Sequence, residues 1–318
     1  SEAGAAVLPA DIQFNTTDGG DRVRLIGQVG LDATYVPDLV AGQREIRVLD
    51  GVNDGVEDQI VRLNQVATRP QVELDVFGSF TFTSPGAADV VALSAAVAPL
   101  GSKQTLLISG TSSATAFESL LLSGIASVTV DLGTNDAAFT GSADSVTVND
   151  GALRSYAGLT GVNISTGGGV DTLVLNESSY LNTADADVLT IDLGDGVDQV
   201  QAGADGDFTL ADDSLSLNDG VATGNVTLDG FTTAGRGEDV TLAGGDGDNA
   251  FDVSDHTGAV SVSGGDGTDT LTGQNANDAT WTLEDAQDGL GAAGTDNLID
   301  GTAVDQANPA GTVTFNLI

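Results

Sequence analysis

The sequence predicts an all-β fold: a parallel β-helix or β-roll-like solenoid over residues 126–318, preceded by a β-rich, sandwich-like module over residues 1–125. Three observations lead to it. Apolar and polar residues alternate in short runs such as SVTVDL (127–132), NVTLDG (225–230) and GTVTFNL (311–317), which is the two-residue period of a strand. Aromatic residues are only 4% of the chain while hydrophobic residues are 40%, so the core has to consist of aliphatic ladders, as in stacked coils. The third observation is an internal repeat of β-type run, glycine-rich turn, Asp and β-type run. It occurs at 162–175 (VNISTGGGVDTLVL), 189–201 (LTIDLGDGVDQVQ), 240–253 (VTLAGGDGDNAFDV) and 260–272 (VSVSGGDGTDTLT).

In the first 125 residues, strands are expected at 22–29, 44–49, 59–66, 72–83, 90–98 and 104–109, with turns at DGGD (18–21) and SPG (84–86). Their spacing suggests an antiparallel sandwich or an irregular start to a β-helix. The run ATAFESLLL (114–122) is the one helix candidate, with Ser112 or Ser113 as cap and Gly124 as stop, and it also reads as a strand. GVNDGVED (51–58) is read as a plain turn. Farther on, DSVTVNDG (144–151) and DSLSLNDG (213–220) echo each other, each a strand running into a tight reversal.

The last repeat contains GGDGTDTLT (264–272), which meets the nonapeptide pattern G-G-x-G-x-D-x-U-x at every position. Glycine permits the tight backbone with positive φ, and Asp carboxylates with freed carbonyls can then converge on a hard cation. Gly245 and Gly265 lie 20 residues apart, about one coil of a narrow solenoid. Each turn is therefore expected to stack on the one before, with Asp246 and Asp248 beside Asp266 and Asp269. The other offsets, 27 residues from Gly167 to Gly194 and 51 from Gly194 to Gly245, are irregular and favour isolated ion sites over a continuous row. The candidate metal ligands are Gly169, Asp171, Asp195, Asp198, Asp246, Asp248, Asn249, Asp266, Gly267 and Asp269, with Ca2+ as the ion. All four turns are expected on one face. Val260, Val262 and Leu271 are expected to lie above Val240, Leu242 and Phe251.

On these motifs residues 126–318 resemble the RTX-type calcium-binding repeats of secreted bacterial proteins, among them large adhesins and surface-layer proteins. The resemblance implies calcium held between stacked turns and an extracellular or cell-surface location.

Formal net charge is −38, from 47 acidic against 9 basic residues. Seven of the basic residues (Arg22, Arg24, Arg44, Arg47, Arg62, Arg69 and Lys103) lie before residue 104, and only Arg154 and Arg236 follow. Self-repulsion of this size opposes compaction unless counter-ions neutralise it. Nucleic acid is excluded as a partner because no basic stripe exists to meet phosphates. Cys and Met are both absent, so no disulfide or thiol chemistry is possible. The missing initiator Met is read as a processed chain or a fragment, and no stretch has the length of a membrane span.

No catalytic role is expected. No nucleophile elbow, zinc motif or P-loop is present. The adjacent acids Asp212 and Asp213 are the nearest thing to an acid–base pair, and His256, the one histidine, reads as a surface residue of a turn. Both ends, 5–14 and 312–318, are apolar and strand-like, suited to completing a neighbour's sheet. The leading expectation is therefore a structural subunit of a calcium-stabilised extracellular polymer (filament, tube or surface layer), with copies of itself as partners joined head to tail by terminal-strand exchange. The alternatives are the stalk of a calcium-dependent adhesin, for which a cell-surface glycan is the candidate partner, and more remotely a β-helix polysaccharide-modifying enzyme.

Overall fold

The structure is a computed structural model. It describes residues 11–15, 22–27, 31–37, 43–49, 59–64, 71–84, 88–97, 104–133, 142–153, 158–176, 189–220, 223–229, 239–265, 269–273, 279–285, 298–300 and 311–317. These form an all-β protein of 29 strands, numbered here along the chain, in two large mixed sheets and one two-stranded sheet. Among the described residues no helix is long and apolar enough to cross a membrane.

The first sheet begins with β1 (Asp11–Asn15), β5 (Gln59–Asn64), β4 (Gln43–Leu49), β3 (Asp32–Pro37) and β7 (Ser79–Thr83). It continues through β12 (Ser127–Asp131), β14 (Gly161–Ser165), β17 (Leu189–Asp192), β22 (Thr223–Asp229) and β21 (Ser214–Asn218). It ends with β20 (Asp207–Ala211), β24 (Ala250–Asp255), β26 (Thr270–Thr272) and β28 (Leu298–Asp300). The second sheet runs β2 (Arg22–Ile26), β6 (Gln71–Asp75), β11 (Ser119–Ser123), β9 (Gln104–Ser112), β8 (Val90–Val97) and β13 (Ser145–Val148). It then passes through β16 (Thr172–Leu175), β19 (Gln199–Gly203), β23 (Asp239–Ala243), β25 (Ala259–Ser263), β29 (Gly311–Leu317) and β27 (Ala279–Asp285). The short β10 (Thr115–Ala116) hangs from β9, and β15 (Gly168–Gly169) pairs with β18 (Asp195–Gly196) in a small third sheet.

Strand sense is nearly uniform. Along the first sheet only β4 and β21 run against the rest, and along the second only β9 does. From β12 to β19 the chain visits the two large sheets in turn, with β15 and β18 at the crossings. Strands from both sides of residue 125 share each sheet, since β12 pairs with β7 and β13 with β8.

The alternating pattern produces the core directly. In β12, Val128 and Val130 are buried between half-exposed Ser127, Thr129 and Asp131. Register then lines up Phe80, Val128, Val162, Leu189 and Val226 across one sheet. Val91, Val146, Leu173, Val200, Val240 and Val260 line up across the other. Burying each such side chain is worth roughly 1.5–3 kcal/mol, and both columns belong to one continuous core. Val240 pairs with Val260, Leu242 with Val262 and Phe251 with Leu271, as the repeat spacing predicts.

The N-terminal region departs from a purely antiparallel sandwich. Antiparallel pairs β3–β4, β4–β5, β8–β9 and β9–β11 are interleaved with parallel pairs β1–β5, β2–β6, β6–β11 and β3–β7. The expected single strand 72–83 is two strands, broken where Val76 adopts φ 64° and its N–H reaches Ser123 O at 2.9 Å. The helix expected at 114–122 does not form. Ser113 and Ala114, both with positive φ, turn the chain from β9 into antiparallel β10, and Leu120, Leu121 and Leu122 of β11 pair with Ile108, Leu107 and Leu106 of β9. Leu120, Leu121 and Leu122 are all buried, which removes the alternation that distinguishes a strand from a helix in sequence.

Aromatic residues are few but grouped. Tyr35, Phe82 and Phe117 pack with centroid separations of 4.8–6.2 Å, and beside them Tyr35 Oη donates to Glu118 Oε2. Arg44 Nη1 donates to Glu118 Oε1 at 2.9 Å and Arg44 Nη2 to Ala116 O at 3.3 Å. All three side chains are buried, so this network joins β3 and β4 of the first sheet to the β10–β11 link of the second. Burial, then the neighbouring Glu118 carboxylate, holds the Tyr35 hydroxyl well above its usual pKa.

Candidate functional site

The glycine-rich turns form two stacked pairs. Those at β15 and β18 lead from the first sheet to the second, and lie one on the other in parallel register. Those at 244–249 and 264–269 lead from the second sheet to the first. The expected single column of four turns is thereby corrected. A chain that alternates between two sheets makes two kinds of crossing, and the motif serves both. Contact within the first pair is close: Asp195 N donates to Gly167 O at 2.7 Å, and a Cβ on Gly194, at φ 80°, would collide with that same carbonyl.

Asp171 and Asp198, two of the candidate ligands, lie in a buried ladder with Asp89 and Asp144. Asp89 N donates to Asp144 Oδ1 at 2.7 Å, Asp144 N to Asp171 Oδ1 at 2.8 Å, and Asp171 N to Asp198 Oδ1 at 2.8 Å. Ser113 N donates to Asp89 Oδ1 at 3.1 Å. Each carboxylate thus satisfies a backbone N–H of the rung beside it. Asp89 and Asp144 escape the nonapeptide pattern because the glycines are missing there. What the four share is an Asp just ahead of an alternating strand: DVVAL (89–93), DSVTV (144–148), DTLVL (171–175) and DQVQA (198–202).

The second pair of turns has a different arrangement. Asn249 N donates to Asp269 Oδ1 at 2.9 Å, so Asp269 stacks on Asn249, with Asp248 near enough to act on it electrostatically. Asn249 Oδ1 accepts from Gly245 N at 3.1 Å, and its amide donates to Asp205 Oδ1 and Gly206 O, both at 3.2 Å. Gly247 N also donates to Asp205 Oδ1, at 3.0 Å. Asp205 was not foreseen. It lies in ADGD (204–207), an Asp-Gly turn too short to match the repeat, and register brings it to the 244–249 turn. Burial raises the Asp269 carboxyl pKa; the Asn249 N–H opposes this, and Asp248 and Asp205 add to it.

Gly169, Asp195, Asp246 and Asp248 lie in these turns, whereas Asp266 and Gly267 fall outside the described residues. The donors around Asp269 are all hard oxygens, which suits Ca2+. Among the described residues, no three His, Asp or Glu side chains form a metal-holding group, so backbone carbonyls would have to complete the shell.

His256 is not the surface residue expected. It is 2% exposed, with Nδ1 3.3 Å from Asp212 Oδ1, while Thr257 N and Oγ1 donate to the same carboxylate at 2.6 and 3.1 Å. Asp213 instead accepts from Ser214 Oγ at 3.3 Å, so the two adjacent acids have separate partners. Burial lowers the His256 pKa, against the pull of Asp212 and of the Ala211 backbone. The unfolded chain therefore takes up this proton at higher pH than the folded one, and stability should fall as pH drops below about 6.5. Because the chain has one histidine, denaturant titrations between pH 7.5 and 5.5 should show this slope and its loss in His256→Gln. An unchanged slope in the variant would assign it elsewhere.

No known protein family, curated protein or solved structure matches this chain.

Proposed function

We propose that this chain is a structural subunit of a calcium-stabilised extracellular polymer, built as a parallel β-solenoid whose coils are the successive passages through the two sheets. The observation that carries the reading is the stacking of equivalent acidic turns, Asn249 on Asp269 with Asp205 and Asp248 close by. The RTX-type resemblance of GGDGTDTLT supports the same ion and location. Asp269 and the neighbouring Asp248 would hold Ca2+, with backbone carbonyls of the stacked turns completing its shell. The ion supplies positive charge where this chain has almost none: no Lys or Arg follows Arg236.

Strand exchange between subunits falls to β1. Among the described residues that strand pairs only with β5, whereas β29 lies between β25 and β27 and would have to leave two ladders. Calcium should raise the unfolding temperature and produce long assemblies visible by negative stain, both reversed by chelator. Half-effect is expected at roughly 0.1–1 mM, the extracellular range. Asp269→Asn should shift that midpoint upward. A chain whose melting and assembly ignore calcium altogether would end this reading.

A further inference from the structure

The same tripeptide turns the chain after β13 and after β21, and the two turns leave their backbones in different chemical states. Asn149, Asp150 and Gly151 form the first, and Asn218, Asp219 and Gly220 the second; the glycines take φ 68° and 78°. At the second turn Asn218 Oδ1 accepts from Gly220 N at 2.9 Å. At the first, the asparagine is drawn away because β13 lies between β8 and β16. Asn149 Nδ2 donates to Ser94 Oγ at 2.8 Å, and Asn149 Oδ1 accepts from Asn176 Nδ2 at 2.9 Å. Gly151 N is left without a hydrogen-bond partner, and so is the exposed Asp150 carboxylate.

The other Asp–Gly pairs among the described residues are held. Gly247 N, the nitrogen after Asp246, donates to Asp205 Oδ1 at 3.0 Å. That same oxygen accepts from Asn249 Nδ2 at 3.2 Å, which also fixes the carboxylate ahead of Gly206. Asp195 and Gly196 are β18 itself, paired in parallel with β15. The turn at Asp150 is closed by Ala152 N donating to Asn149 O at 3.1 Å, so its Asp–Gly peptide can rotate without breaking strand pairing. Glycine brings no Cβ to crowd an attack by its nitrogen.

From this we infer that Asp150 is a self-modification site, where the backbone isomerises to isoaspartate through a cyclic imide. Gly151 N attacks Asp150 Cγ in the acid form of the carboxyl. The N–Cγ bond forms, the Cγ–OH bond breaks, and the hydroxyl leaves as water with the proton of the nitrogen. One water then opens the ring. Opening at Cγ restores aspartate, whereas opening at the main-chain carbonyl routes the backbone through the side chain and lengthens it by one carbon. Water is the sole co-reactant. The contacts that shape the 244–249 turn protect it, so this chemistry is directed to an exposed corner and away from the candidate calcium turns. The inference stands independently of the polymer reading.

The test incubates the folded full-length protein for weeks at mildly acidic pH, beside the same protein unfolded in urea. Peptide mapping by mass spectrometry, with an isoaspartyl methyltransferase as labelling reagent, locates the product. In the folded protein isoaspartate is expected at Asp150 ahead of Asp195, Asp205, Asp219 and Asp246, and in urea at all of them to similar extents. Asn218→Ala should raise the yield at Asp219 by about 2- to 13-fold, the weight of one hydrogen bond, with circular dichroism confirming that strand content is kept. Asp150→Glu, which would need a larger ring, should remove the product at that position. Isoaspartate appearing in the folded protein first at another of these sites, or at all of them alike, would overturn the assignment. So would its absence at Asp150 when the urea sample contains it. No rise at Asp219 in Asn218→Ala would overturn the protective role of the asparagine.

Discussion

Glu118→Ala is expected to destabilise the protein by about 3–5 kcal/mol, the cost of leaving a buried partner charge uncompensated. Arg44 is 3% exposed and loses its 2.9 Å carboxylate contact, and Tyr35 Oη loses its acceptor at the same time. Glu118→Gln keeps an oxygen for one of the two but removes the carboxylate charge beside the guanidinium, so it should fall between the wild type and the alanine variant. The measurement is the urea midpoint at pH 7, with the slope checked for constancy. A loss under about 1 kcal/mol for Glu118→Ala would mean that water replaces the carboxylate and that the network is not closed. Pairing the change with Arg44→Met should recover part of the loss, because the stranded charge is then gone.

The second large effect lies in the aspartate ladder, and its sign depends on the replacement. Asp171→Ala removes the acceptor for the buried Asp144 N–H, at a cost of roughly 1–3 kcal/mol. Asp171→Asn keeps an oxygen in that position and removes one charge from a row that repeats at about the 4.8 Å strand spacing. Full charges that close repel by about 3 kcal/mol at an effective dielectric near 20. The asparagine variant should therefore be at least as stable as wild type in chelator, while the alanine variant is clearly weaker. The chain itself uses Asn249 at the equivalent place in the third turn. Equal destabilisation by both replacements in calcium, with the difference between them returning in chelator, would show that the carboxylate charge is required as a ligand to a cation.

The parts of this fold that could be read from sequence were those governed by a local period. Val128 and Val130 face inward because they alternate with Ser and Thr, and the 20-residue offset between Gly245 and Gly265 set the pairing of Val240 with Val260 and Leu242 with Val262. Where neighbours rather than period decide, reading failed. The three leucines of β11 are buried on both faces, Val76 takes positive φ because a carbonyl of Ser123 awaits its N–H, and His256 is covered only once β24 has paired with β20. The candidate site shows the same division. The glycine motif located the turns, but it could not tell which sheet each leaves, nor that Asp205 arrives from 42 residues upstream to bind Gly247 N.

Asp144, Asp171 and Asp198 follow one another at intervals of 27 residues, and Asn149 and Asn176 repeat the interval with Asn176 Nδ2 donating to Asn149 Oδ1 at 2.9 Å. Excising residues 172–198 would bring Asp171 directly to Gln199, and the register that now seats β16 on β13 would receive β19, while β22 would take the place of β17 beside β14. The new neighbours would thus meet in the parallel register that the removed strands now use. A protein shortened by those 27 residues is expected to keep both ladders, each one rung shorter.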